Sequence, residues 1–189
     1  MVRLVLLGPP GTGKGTQAEL LAKKFRVRAI SVGQLLRDHI KKRTKFGILA
    51  EKYVVKGYNA PDKYVIPMVK RELKKHKNGF ILDDFPRTMN QLKFFDKNFS
   101  VNYIVFIDST KKAILARLKR RRKIEGRDDD KSRTIRKRLV IYNKESKPVI
   151  NYYKKKGNLI EINGSPTNDD KRNITLTFHS ILAKMNRKA

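Results

Sequence analysis

The stretch that decides the fold runs from residue 3 to residue 25: Arg3-Leu4-Val5-Leu6-Leu7, then Gly8-Pro9-Pro10-Gly11-Thr12-Gly13-Lys14-Gly15-Thr16, then Gln17-Ala18-Glu19-Leu20-Leu21-Ala22-Lys23-Lys24-Phe25. The first five residues form a short apolar run cut off by Gly and Pro, the pattern of a buried strand leaving into a loop. Ala18, Leu21, Ala22 and Phe25 recur at helical spacing, so 15–25 reads as a helix. The loop between them fits G-x-x-x-x-G-K, with Gly8, Gly13 and Lys14 at the defining positions. Glycines let the backbone wrap closely round a phosphate and aim several N–H groups at it. The helix that follows adds the positive end of its dipole, and the lysine reaches the β- and γ-phosphates. The expected nucleotide contacts are therefore Gly11, Thr12, Gly13, Lys14, Gly15 and Thr16. Gly15 stands where the general motif has a metal-holding Ser or Thr, and Thr16 follows one position later. Mg²⁺ is then expected to be held mainly by phosphates and waters, which it tolerates.

Outward from this motif, strand and helix signals alternate. Strands are expected at Arg28–Ser31, 80–84, Tyr103–Asp108 and Leu159–Asn163. Helices are expected around 35–40, 48–56, 62–75, 90–95, 111–123, 133–156 and 169–185. Asp62 reads as an N-cap, and Pro148 as the kink of a long helix. Five strands separated by helices imply an α/β fold, a parallel sheet covered on both faces in a three-layer sandwich. No repeat or linker divides the chain, so 1–189 reads as one domain. Two segments exceed a minimal alternation: a helical insertion at 31–60 and a short charged connection at 120–132. Both are expected near the ligand edge, outside the carboxyl ends of the strands.

The 189 residues carry 46 Lys and Arg against 17 Asp and Glu, a formal charge of +29. Polyanions are the natural partners of such a surface: nucleic acid, membrane surface or nucleotide phosphates. The chain has no cysteine, which excludes disulfides, a thiol nucleophile and cysteine-ligated zinc. No apolar stretch is long enough to span a membrane, and Leu4–Leu7 is too short for a signal peptide. His39, His76 and His179 have no partner at metal or triad spacing and read as structural or surface residues.

Further motifs narrow the class: Ser31-Val32-Gly33-Gln34-Leu35-Leu36-Arg37, Asp83-Asp84-Phe85-Pro86-Arg87-Thr88, Gly126-Arg127-Asp128-Asp129-Asp130 and Lys137-Arg138-Leu139. Together with Gly13-Lys14-Gly15-Thr16-Gln17, and in this order over nearly the whole chain, they resemble the adenylate kinases and the related UMP/CMP kinases. The segment 120–132 resembles the family's short lid, and 31–60 its monophosphate-binding insertion. The resemblance implies a P-loop fold and Mg-dependent phosphoryl transfer from ATP to AMP giving two ADP, in the cytoplasm, without zinc and without nucleic acid as a required partner. By the same resemblance Lys14, Arg87, Arg121, Arg127 and Arg138 are catalytic. Arg37 and Arg87 hold the monophosphate, and Arg127 and Arg138 bridge the transferred group and the acceptor. Arg117 and Arg121, one helical turn apart, contact the ATP base and phosphates, with Gly164 and Pro166 beside the base. Asp83 holds Mg²⁺ through water, with Thr16 as a further metal ligand. Asp129 and Asp130 match the family's acidic pair at the lid hinge, equally readable as a solvated acid cluster. Arginine suits such positions because its planar fork binds phosphate oxygens bidentately and stays charged.

For the acceptor base, the resemblance assigns Val32, Tyr58, Asn59, Ala60, Asp84 and Gln91. Gln91 favours AMP, since the UMP/CMP kinases tend to have Asn there. Three departures point to relaxed selectivity. Val32 replaces a usual Thr, Asp84 a usual Gly, and Gln34 a usual Asp. Lack of a polar test for the base changes selectivity by only about 1–3 kcal/mol. Two rivals carry different expectations. A UMP/CMP kinase would share the machinery with another base preference. An RNA-directed ATPase would use the 16 basic residues against 5 acidic ones in 111–147, but would not need Arg37, Phe85-Pro86-Arg87 and Gln91 together. Most of the basic residues receive no catalytic assignment, which leaves weak nucleic-acid binding open as a secondary property.

Overall fold

Strands β1 (Arg3–Leu7), β2 (Arg28–Ser31), β3 (Phe80–Asp83), β4 (Tyr103–Asp108) and β5 (Leu159–Asn163) pair in parallel in the order β2-β3-β1-β4-β5. The computed structural model that shows this describes residues 1–188, with Asp128 described by its backbone alone. Ala189, the last residue of the expected domain, lies outside the described residues. In the central strand β1, Leu6 lies opposite Asp83 on one side and Val105 on the other.

The side chains of β1 alternate between the two faces. Leu4 and Leu6 pack with Ala18 and Leu21 of α1 (Lys14–Phe25) and Ile181 and Met185 of α9 (Asp170–Asn186). Val5 and Leu7 belong to the opposite cluster, with Val65 of α4 (Asp62–Lys74), Leu92 and Phe95 of α5 (Met89–Asn98), and Val149 and Tyr153 of α8 (Lys147–Lys155). A strand covered on both faces needs apolar residues at every position, which is why this run lacks polar alternation. Each such buried Leu or Val contributes about 1.5–3 kcal/mol relative to exposure. The sheet reverses its winding direction at β1, so the loops leaving β1 and β3 open a crevice at the carboxyl edge.

Over that edge stand α2 (Val32–Lys41) and α3 (Lys45–Val54) from the 31–60 insertion, and α6 (Lys111–Glu125) and α7 (Ser132–Ile141) from the far side. Residues 120–125 of the expected lid are the end of α6. Gly126 caps that helix in a left-handed conformation, and a single helical turn at Asp128–Asp130 leads to α7. Among the described residues no helix is long and apolar enough to cross a membrane.

Three local expectations need correction. Asp62 is not an N-cap: Pro61 takes that place, and the Asp62 carboxylate reaches α5 instead. The expected 80–84 strand ends at Asp83, because Asp84 turns to φ 70°, outside the extended region. The irregularity expected at Pro148 lies just before it, in a π-helical turn at Tyr142–Ser146. Proline cannot donate to the carbonyl four residues back and its ring crowds that carbonyl, so the upstream turn widens and Pro148 falls in the first turn of α8.

Candidate active site

The phosphate loop is shaped by glycine. Gly8 has φ 149°, and a Cβ there would lie 2.2 Å from the Ile107 carbonyl oxygen, so only glycine fits between β1 and β4. Gly13 has φ 92°, and a Cβ there would meet nothing within 4 Å: the loop encloses open space at this point. Ser31, Thr44, Thr88, Thr110 and Asp169 cap their helices with side-chain oxygens, whereas α1 starts at Gly13 with no such cap and no acid in its first turn. The unpaired N–H groups and dipole of α1 are thus free for an anion. Lys14 is almost fully buried, and its Nζ donates to the carbonyls of Gly8 and Pro9 at 2.8 and 2.9 Å. Thr12 is buried beneath the loop, with its Oγ1 donating to the Pro9 carbonyl at 3.1 Å. Its side chain shapes the loop and does not line the cleft.

This loop floors a cleft of about 690 Å³. Gly11, Gly13, Lys14, Gly15, Thr16, Arg37, Tyr58, Asn59, Ala60, Asp83, Asp84, Arg87, Arg117, Arg121, Arg127 and Arg138 all line it. Besides Thr12, four expected contacts do not. Val32 is buried in the core beneath α2. Gly164 and Pro166 lie beyond the rim, and Gly164 touches the site only through its carbonyl, which accepts from Arg117 at 3.0 Å. Gln91 is buried with both ends of its amide engaged: Oε1 accepts from the Arg87 N–H at 2.8 Å, and Nε2 donates to Asp62 at 2.6 Å. Asp62 also accepts from Thr88 at 2.7 Å, a tie that nothing in the local sequence signals.

The cations divide by partner. Arg117 spans the site, donating to Asp170 at 2.8 Å, to Gly164, and to the Thr12 carbonyl at 3.3 Å. Asp130, 1% exposed, accepts from Arg121 at 2.6 and 2.8 Å and from Arg138 at 2.7 Å. Asp129 accepts from Arg127 at 2.8 Å and Arg138 at 3.1 Å. Burial alone would raise the Asp129 carboxyl, but the Arg127 hydrogen bond and the charges of Arg138, Arg127 and Arg121 hold it well below the usual range. The acidic pair therefore holds Arg121, Arg127 and Arg138 together and is not a solvated cluster. Arg37 makes no ion pair among the described residues and donates only to Gln34. Burial, then repulsion from Arg127 and Arg121, pushes its guanidinium down to about 10. That is a crowd of positive charge short of an anion.

Asp83 ends β3 beside the loop, and a Cβ on Gly15 would lie 3.7 Å from its Oδ2. Its Oδ1 is buried with no hydrogen-bond partner, the kind of orphaned anionic oxygen that an Mg²⁺-bound water satisfies. Burial pushes the Asp83 carboxyl up, with Lys14 pulling the other way. Because folding favours its protonated form, Asp83 lowers stability as pH rises through and beyond the carboxylate range. Asp83→Asn is expected to raise the unfolding free energy at pH 7 by on the order of 1 kcal/mol, with no gain below about pH 4. Thermal unfolding from pH 3 to pH 8 checks this. A melting temperature unchanged at neutral pH would contradict it.

Known proteins are similar to this chain in sequence. The family model described as adenylate kinase matches residues 6–158. Among curated proteins named adenylate kinase, that of Chloroherpeton thalassium is 36% identical, covering 89% of this chain and 93% of its own length. That of Caldicellulosiruptor bescii is 38% identical over 84% and 90%, and that of Leptospira biflexa 40% identical over 87% and 92%. A match that holds from the phosphate loop through α8, at such identity and over most of both chains, means that this chain belongs to the adenylate kinase family of phosphotransferases.

Proposed function

We propose that the cleft transfers the γ-phosphoryl group of ATP reversibly to AMP, giving two ADP. The observation that carries this is the convergence of Lys14, Arg37, Arg87, Arg117, Arg121, Arg127 and Arg138 on one cleft at an uncapped helix N-terminus. The attacking group is a phosphate oxygen of AMP, anionic at neutral pH, so no general base is needed. What the reaction needs is in-line placement of two phosphates and neutralisation of the charge spread over the transferred group.

Lys14 and the loop N–H groups hold the β- and γ-phosphates. Arg37 and Arg87 hold the acceptor phosphate, and Arg127 and Arg138 bracket the group in transfer. Arg117 faces the donor base, and Arg121 the donor phosphates. Asp83, through water, and Thr16 would hold Mg²⁺, which when bound neutralises charge on the β- and γ-phosphates. The insertion and the lid side already meet: Lys137 Nζ lies 3.6 Å from the centre of the Tyr58 ring. Fuller closure excludes water, which would otherwise accept the phosphoryl group. The cytoplasm as working compartment belongs to the same proposal.

Acceptor choice is relaxed. Gln91 is held by Asp62 and the Arg87 N–H, and Val32 lies in the core, so the base meets chiefly the backbone of 57–60. AMP, CMP, UMP and GMP offered with Mg-ATP should all react, AMP best and the others within about 200-fold. Strict AMP use would overturn the relaxed choice. Arg87→Ala should lower kcat/KM for the acceptor by about 10²–10³ while the fold is retained. Unchanged ADP formation would overturn the site assignment.

A further inference from the structure

Among the described residues, Asp84 is the one carboxylate paired with Arg87. It follows β3 at φ 70°, a conformation that glycine takes most easily and Asp tolerates. Its N–H donates to the Leu6 carbonyl at 2.9 Å, which pins the backbone at the sheet edge. From there the side chain reaches between two cations: Oδ2 accepts from Arg87 Nη2, and Oδ1 lies 3.8 Å from Lys14 Nζ. The remaining guanidinium nitrogens are also engaged. Arg87 Nη1 donates to Asn59 Oδ1 at 2.7 Å, and Nε to the Asp84 carbonyl at 3.3 Å. Asn59 is itself held, donating to Glu145 at 2.7 Å. Three of its five N–H groups are thus engaged, and a phosphate that approaches Arg87 meets partners already seated on every guanidinium nitrogen. Of its partners, only Asp84 brings a charge of the same sign as the phosphate. Arg37, with no ion pair among the described residues, brings no such competitor.

We propose that Asp84 is an internal counter-anion that competes with the acceptor phosphate for Arg87 and so lowers the affinity of that subsite for phosphate. Free inorganic phosphate, held by Arg37 and Arg87 alone, displaces it poorly. A nucleoside monophosphate, held also through its base, displaces it well. The cost of displacing Asp84 falls equally on both. The inference rests on Arg87 being the acceptor-phosphate ligand.

Calorimetric titration without ATP or Mg²⁺ tests it on the whole chain and on two variants. Asp84→Asn removes the charge and keeps a residue that accepts positive φ. Asp84→Gly fits the backbone outright. Three probes are used: inorganic phosphate, AMP and adenosine. Both variants are expected to bind phosphate and AMP about ten-fold or more tightly than the parent, the scale of a charge-assisted hydrogen bond, with adenosine unchanged. Equal or weaker phosphate and AMP binding in the variants would overturn the proposal. So would an equal gain for adenosine, since competition for a phosphate site cannot affect a ligand without phosphate. A parent that binds phosphate but not AMP would count against the assigned function, while the phosphate arm still decides the role of Asp84.

Discussion

Lys14→Met is expected to leave a folded chain that forms ADP from ATP and AMP at least about a thousand-fold more slowly than the parent. Methionine has nearly the length of lysine, so the packing of this buried side chain survives. What is lost is a positive charge held inside the phosphate loop by the Gly8 and Pro9 carbonyls. Burial lowers the affinity of Lys14 for its proton, an effect that Asp84 and Asp83 offset only in part. A cation buried away from water acts on phosphate more strongly than one in solvent. Removing one preorganised donor costs about 10²–10³ in rate, and a full charge at the β- and γ-phosphates costs more. Fold integrity is checked by circular dichroism and melting temperature, and the rate by a coupled ADP assay. A variant retaining a tenth of the parent kcat would show that the loop lysine is not the donor-phosphate ligand.

Asp130→Ala is expected to have the largest effect on stability and to lower activity through residues it never touches on the substrate. Its carboxylate is fully buried, accepts from Arg121 and Arg138, and lies 3.7 Å from Arg127. Without it, Arg121 loses the carboxylate it pairs with, Arg138 keeps Asp129, Arg127 keeps Asp129 and Glu125, and the three guanidiniums repel one another. Removing one partner from a buried ion pair costs about 3–5 kcal/mol. The lower figure applies here, because Arg121 is partly exposed and solvent screens it. The arginines would then spread, and kcat/KM should fall about 10²–10³-fold. Asp130→Asn keeps the shape and one acceptor and should fall between. Urea unfolding with steady-state kinetics measures both effects. Values within two-fold of the parent for the alanine variant would mean that the lid arginines are organised by something other than this carboxylate.

The positions of such groups were legible in the sequence to different degrees. Leu4 to Thr16 could be read without tertiary knowledge, because a glycine-rich strand–loop–helix has few physical alternatives. Asp84 could be noticed as an odd residue at a glycine-favouring position, but its contacts with Arg87 and Lys14 depend on how β1 and β3 pair. The resemblance assigns Gln91 to the base, yet its amide is engaged by Asp62, 29 residues upstream. The resemblance also places Val32 in the acceptor site, whereas the side chain is buried in the core. The short charged connection at 120–132 could equally have been a solvated loop. Only the burial of Asp130 among three arginines shows it as an ionic cluster.

By itself, then, the sequence determined the parallel α/β class, the phosphate loop and the set of cations drawn to polyphosphate. These follow from local causes: apolar period, glycine freedom and the fixed chemistry of lysine and arginine. The tertiary structure alone decided which carboxylate faces which arginine. Asp84 falls to Arg87, Asp129 and Asp130 to Arg121, Arg127 and Arg138, Asp170 to Arg117, and among the described residues Arg37 is left without one. Ion pairing acts over a few ångströms between elements far apart in the chain, and strand order and helix packing set those distances. In a chain of +29 charge, with basic residues almost everywhere, position along the sequence cannot reveal which of them are neutralised in the cleft and which await a phosphate.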